Sequence, residues 1–180
     1  MGDHSWINIF LDNHDFSRMV SRFADDGAYR VTAAKMLALL VLSLRGTPSL
    51  YQGTELGMTN VAFPSLDDYR DVEIKNAHRA CLARGGDLDA LLKAVHTAGR
   101  DNARTPMQWE NSPQAGFTTS ENPWIKLNPN YPKINAAQAL QDPDAIFYFY
   151  QRMLQIRKAH PTLIYGDYQI IAPEHDRLFA

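Results

Sequence analysis

Apolar residues near the start of the chain, Ile7, Ile9, Phe10 and Leu11, stop abruptly at the polar run Asp12-Asn13-His14-Asp15. The run is too short for a helix and β-prone, and Asp-Asn supplies turn chemistry, so the pattern predicts a strand ending in a polar loop. From Tyr29 to Leu44, Val31, Met36, Leu37, Leu40, Val41 and Leu44 recur at helical spacing, with Gly46 as the expected left-handed terminator. Thr47-Pro48-Ser49-Leu50-Tyr51 then reads as a second short strand. Strand, helix and strand make a β–α–β unit, and the polar loops after the two strands emerge on one face.

Between Gly57 and about Asn135 strand alternation is absent, and two helical patches appear, Val72 to Arg84 and Asp87 to Ala98, with Asp87 as N-cap. They predict one long loop insertion with its own helices. The stretch holding Trp109, Phe117, Pro123, Trp124, Pro129, Tyr131 and Pro132 reads as ordered loop, because linkers are poor in aromatics. Asp142 as N-cap and Pro143 at the first helical position predict a helix through Ile146, Phe149, Tyr150, Met153, Leu154 and Ile156-Arg157 to His160-Pro161. Tyr165 to Ile171 reads as a further strand. Two parallel strands and two main helices cannot cover each other's apolar faces, so a larger α/β fold is expected. An isolated chain of this kind is expected to be inactive and unstable, with unpaired strand edges.

Composition acts mainly by exclusion. Of 180 residues, 45% are hydrophobic and 21% charged, as in an ordinary globular protein. A formal charge of −2, a pI near 6.3 and dispersed Lys and Arg argue against a nucleic-acid partner. The longest apolar helical stretch, Ala33 to Leu44, is interrupted by Lys35 and falls short of the roughly 20 residues a membrane span needs, so no membrane partner is expected. The first residues, Met1 to Ser5, lack signal-peptide character. The single Cys81, expected on the packed side of a helix, fits a reducing compartment, and a cytoplasmic location is the expectation. His4, His78, His96, His160 and His175 show no ligand spacing with Asp, Glu or Cys, so neither a metal nor another cofactor is expected.

Asn13, His14 and Asp15 at a strand's C-terminal end stand where barrel enzymes keep catalytic groups. The alternative is an Asx turn in which Asp12 or Asn13 bonds local backbone amides and His14 merely caps the loop. Two further motifs accompany them: Tyr51-Gln52-Gly53-Thr54-Glu55-Leu56-Gly57-Met58 and Gly99-Arg100-Asp101-Asn102-Ala103-Arg104-Thr105-Pro106-Met107-Gln108-Trp109. Together the three segments resemble the α-amylase superfamily, glycoside hydrolase family 13. The resemblance is to the oligo-1,6-glucosidase and α-glucosidase branch, which also includes trehalose-6-phosphate hydrolase, trehalose synthase and sucrose isomerase. It runs from about Asn8 to Ile171. It implies a partial (β/α)8 TIM barrel: residues 1–161 as the C-terminal part of the catalytic domain, with its last two strands, the long inserted loop and the final helix. Residues 162–180 would begin a C-terminal β-sandwich domain. A whole barrel needs about 250 residues, so a C-terminal fragment is expected.

Retaining glycosidases use a carboxylate nucleophile and a carboxylic general acid about 5 Å apart, acting through an oxocarbenium-like transition state. The resemblance places those two groups at the ends of strands four and five, upstream of Met1. It gives the His14 and Asp15 positions the grip on the 2- and 3-hydroxyls of the sugar being cleaved, as transition-state stabilisers, with Asn13 in contact with substrate. Arg100 matches the arginine that reaches the non-reducing end of the glucose, paired with an aspartate of an early strand. The alternative makes Arg100 a structural arginine held by carbonyl contacts, the role expected for Arg104. Glu55 matches a structural carboxylate beneath the site, and Thr54 stands where the motif commonly has an acidic residue. Arg18, with Arg22 and Asp25-Asp26, is a minor candidate for the rim around the leaving sugar. Met58, Phe63, Tyr69, Phe117 and Trp124 offer sugar-stacking faces or, more ordinarily, core. The calcium site of relatives lies in an early loop, outside this chain.

The function implied is that of a retaining α-glucosidase acting on terminal α-glucosidic bonds of short oligosaccharides. Trehalose-6-phosphate hydrolase, trehalose synthase and sucrose isomerase are the enzymatic alternatives, distinguished by residues after strands four and five. A catalytically dead amylase-like binding or assembly protein is the non-enzymatic one, and the retention of Asn13, His14, Asp15 and Arg100 argues against it.

Overall fold

The computed structural model describes residues 5–176. β1 (Asn8–Ile9) and β2 (Thr47–Pro48) lie parallel, with Asn8 opposite Thr47 and Ile9 opposite Pro48. The amides of Thr47 and Ser49 donate to the carbonyls of Ile7 and Ile9 at 2.9 and 2.8 Å. Each strand is shorter than its β-prone run, because each has one neighbour among the described residues and pairing stops where the chain turns into polar loop. α1 (Met19–Phe23) and α2 (Arg30–Ser43) form the crossover, so the expected β–α–β unit is present.

α2 is apolar nearly all round, and its periodicity does not select the inward face. Ala33, Ala34, Leu37, Ala38, Val41 and Leu42 are buried, whereas Val31 and Met36 of the expected stripe are exposed. The small residues let α7 (Ile146–Ala159) pack closely, and Ile146, Tyr150 and Met153 join Met19, Val20, Leu37 and Leu42 in one core. Gly46 does not terminate α2, which ends with Leu44 in an extended conformation. Its φ of +129° serves a close approach instead: a Cβ there would meet the Ile7 carbonyl oxygen at 2.6 Å, beside the β1–β2 ladder. Gly46→Ala is therefore expected to destabilise by about 2 kcal/mol, read as a lower denaturation midpoint.

Two smaller cores support the insertion, one of Val61, Phe63, Leu66, Tyr69, Ile74, Val95 and Ile125, the other of Leu56, Met58, Met107 and Ile134. α3 (Val72–Ala83) starts from Asp71, whose side chain accepts from the Glu73 amide. α4 (Leu88–Ala98) starts from Asp87, which accepts from Ala90. The last carbonyls of α4 go to two asparagines outside it: Asn102 Nδ2 donates to Val95 and His96, and Asn60 Nδ2 to His96 and Thr97. Cys81 sits half-buried on α3.

α6 (Ala136–Gln141) precedes α7, and α7 begins at Ile146 rather than Pro143. Asp142 spends its Oδ1 on the Asp144 amide and its carbonyl on Ala145, a turn that delays the helix. The strand expected over Tyr165 to Ile171 does not form. α8 (Thr162–Tyr165) occupies its start, and the Tyr165 and Gly166 amides return to Pro161 and Thr162, closing a helical turn. No described helix is long and apolar enough to cross a membrane.

Candidate active site

Asp12 anchors the end of β1. It is buried, its Oδ2 accepts from the Met19 amide at 3.2 Å, and the Thr54 hydroxyl lies 3.1 Å from both carboxylate oxygens. Burial pushes the Asp12 carboxyl up, against the Met19 amide, Arg18 and the Thr54 hydroxyl. An acidic residue at position 54 would set a second carboxylate against this one, and threonine supplies a donor instead.

Arg18 is not on the rim, contrary to expectation. It is 1% exposed, its Nη1 donates to the Gln52 carbonyl at 2.6 Å, and its guanidinium lies over the Tyr51 ring, 5.4 Å from the centroid. Burial pulls it below the usual arginine range, countered by Asp12, Tyr51 and Glu55. Glu55 is half-buried in the same polar layer, and burial raises its carboxyl. Arg22 rests on the Phe16 and Phe23 rings, and Asp25 closes the turn before α2 by accepting from Gly27 and Tyr29.

Above this layer Asn13 Oδ1 accepts from the Asp15 amide at 2.7 Å. The Asx turn is thus real, and it sets the direction in which Asp15 points; Asn13, expected to contact substrate, has its side-chain oxygen engaged by the backbone. The side chains of His14 and Asp15 are 70% and 48% exposed, with His14 Nε2 3.2 Å from Asp15 Oδ2.

The Gly-Arg-Asp-Asn-Ala-Arg motif forms α5 (Asp101–Arg104) with Arg100 as its N-cap residue. Arg100 and Arg104 stand four apart and so share a face. Asp101 and Asn102 between them are fully buried: Asp101 Oδ2 accepts from the Arg70 and Asp71 amides, and Asn102 Oδ1 from Val61. Arg104 Nη2 reaches Asp15 Oδ1 at 2.9 Å, and its Nε donates to the His14 carbonyl at 2.8 Å. Arg104 therefore makes the expected carbonyl contact and also grips the candidate carboxylate.

Within this chain the carboxylate that Arg100 finds is Asp71. Nε and Nη2 meet Asp71 Oδ2 and Oδ1 at 2.6 and 2.7 Å, a two-pronged pair. Glu73 lies 3.2 Å from the same guanidinium and Asp15 3.7 Å. The Arg100 hydrogen bonds hold the Asp71 carboxyl below its ordinary range, and Asp71 in turn raises the guanidinium. Asp71 escaped the sequence reading; its only signal was its place before the helical patch from Val72, which marks an N-cap and nothing more.

Among the five stacking candidates, Met58, Phe63 and Tyr69 are core, and Phe117 and Trp124 are exposed. The last two line a cavity of about 270 Å³ together with Arg104 and Gln52.

The family model described as the alpha amylase catalytic domain matches residues 1–166. The chain belongs to the α-amylase family. An oligo-1,6-glucosidase of Bacillus cereus is 47% identical over 176 residues, which is 97% of this chain and 31% of that protein. A trehalose-6-phosphate hydrolase of Escherichia coli is 48% identical over 173 residues, or 96% of this chain and 31% of that protein. The crystal structure of isomaltulose synthase from Erwinia rhapontici NX5 superposes with a TM-score of 0.94 at 43% identity, covering 99% of this chain and 32% of that one. The chain thus spans about a third of the length of these relatives. Within this α-amylase-family chain, the charged groups of the site come from three segments: 14–15, 71–73 and 100–104. An exposed carboxylate in direct contact with one guanidinium, the second lying 3.7 Å away, is suited to attract a developing positive charge. The exposed pairs of Asp15 with His14 and Arg104 add little stability, so orientation is their main effect.

Proposed function

We propose that this chain supplies the last two strands and the final helix of the catalytic barrel in a retaining α-glucosidase of the oligo-1,6-glucosidase type. The observation that carries the reading is the setting of Asp15. Its carboxylate is exposed at the end of β1, held by Arg104 on one oxygen and faced by His14 on the other. In this reading Asp15 and His14 grip the 2- and 3-hydroxyls of the terminal glucose. Those hydrogen bonds tighten as the ring flattens and gains positive charge, which lowers the barrier rather than merely binding substrate. Arg100 fixes the glucose at its non-reducing end through the donor edge that Asp71 leaves over. The nucleophile and the acid–base carboxylic acid come from strands four and five of the same barrel, and a short oligosaccharide is the substrate.

The test is product analysis by proton NMR on the full-length protein with isomaltose, maltose, trehalose 6-phosphate and sucrose. Early release of α-glucose from isomaltose supports the reading. Preferred cleavage of trehalose 6-phosphate, or conversion of sucrose to an isomer, replaces it with one of the activities whose enzymes are similarly close to this chain. Turnover of none of the four overturns it in favour of a binding or assembly role.

A further inference from the structure

Asp71 is 4% exposed, out of reach of any solute, yet it collects the closest contacts of Arg100. Its Oδ2 also faces Arg104 Nη1 at 3.4 Å. Arg104 gives its other prong to Asp15 at 2.9 Å, whereas Arg100 Nη1 stops 3.7 Å from the same Asp15 oxygen, beyond hydrogen-bond range. The two guanidiniums are thus divided between a buried carboxylate and an exposed one, and the buried one holds Arg100.

Asp71 is itself braced from both sides. Its amide and that of Arg70 donate to Asp101 Oδ2 at 2.9 and 2.6 Å, and Asp101 belongs to the helical turn that carries the arginines. Its Oδ1 accepts from the Glu73 amide at 2.9 Å as N-cap of α3. None of these bonds involves Asp15, so the anion is in place whatever Asp15 does, which is the condition for a preorganised support. With that charge removed, the anions left beside Arg100 are Glu73 and Asp15. A short swing brings Arg100 into contact with Asp15, whose negative charge is then spent on two cations instead of on the sugar.

We propose that Asp71 is a positioning residue: by holding Arg100 on a buried carboxylate, it keeps Asp15 available to the charge that develops in the transition state. The inference rests on the reading of Asp15 given above.

The test is Asp71→Asn in the full-length enzyme, compared with Asp15→Asn and Arg100→Lys. Asparagine caps α3 as well as aspartate does, so the change removes charge while keeping the cap. The expected result is a fall in kcat of about 10- to 100-fold, a much smaller change in KM and an unchanged denaturation midpoint. Arg100→Lys keeps the charge and loses the fork; since Arg100 also meets the glucose, it is expected to raise KM as well as to lower kcat, and to add little to the fall in kcat in the double variant, where both act through one pair. If Asp15→Asn leaves kcat intact, the reading of Asp15 falls and takes this inference with it. If Asp15→Asn lowers kcat while Asp71→Asn does not, the positioning role alone is overturned. Should Asp71→Asn fail to fold, Asp71→Ser, which also caps α3 and carries no charge, takes its place, and an unchanged kcat there overturns the proposal.

Discussion

Asp15→Asn is expected to lower kcat of the full-length enzyme by about 10³-fold while changing KM only slightly. Asparagine has nearly the shape of aspartate and still offers an oxygen to Arg104, so the loop, the Asx turn from Asn13 and the sugar's ground-state contacts survive. What disappears is the negative charge. That charge has little to act on in the bound substrate and much to act on once the ring carries part of a positive charge, so the loss concentrates in the transition state. Steady-state kinetics with isomaltose checks the split. A loss confined to KM would falsify the role, because it would show that Asp15 binds substrate and transition state alike.

Arg157→Met is expected to cost about 3 kcal/mol of stability and to leave the kcat of the folded enzyme unchanged. Arg157 lies on α7, 5% exposed, and its Nη1 is within 2.9 Å of the carbonyls of Leu42, Leu44 and Leu163, while its Nη2 donates to the Gly46 carbonyl. The last carbonyls of a helix have no intrahelical partner and carry partial negative charge. α2 has no basic residue in its own last turn, so the cation comes from α7 instead. Methionine fills similar space but donates nothing, leaving buried carbonyls unpaired at the junction of α2, Gly46 and β2. Equilibrium denaturation gives the number, and a loss below about 1 kcal/mol would show that water replaces the guanidinium. Arg157→Lys is expected to fall between the two, since one ammonium cannot span the same set of carbonyls.

The β–α–β unit, the insertion helices and the Asp87 cap were legible in the sequence because each depends on neighbours within a turn or two of helix or a few residues of strand. The same local logic misjudged α7, where Asp142 and Pro143 have the right chemistry for a helix start but Asp142 closes a turn with Asp144. It also misjudged Arg18, which reads as a solvated loop charge until Gln52, Tyr51 and Met58 are seen to enclose it. Asn60 gave no signal as a cap, since the His96 carbonyl it takes at the end of α4 lies 36 positions away.

The sequence by itself determined the family, through three motifs in order, and with it the identity of His14, Asp15 and Arg100 as the residues to examine. Tertiary structure alone decided how those residues are used. Asp71 and Arg100 are 29 positions apart and Asp15 and Arg104 are 89, and no periodicity or spacing rule operates over such distances. Charged side chains are also promiscuous in sequence: any of 18 basic and 20 acidic residues can pair. Which ones do depends on where α3, α5 and the end of β1 converge, and that is set by the packing of apolar cores to which none of these charges belongs.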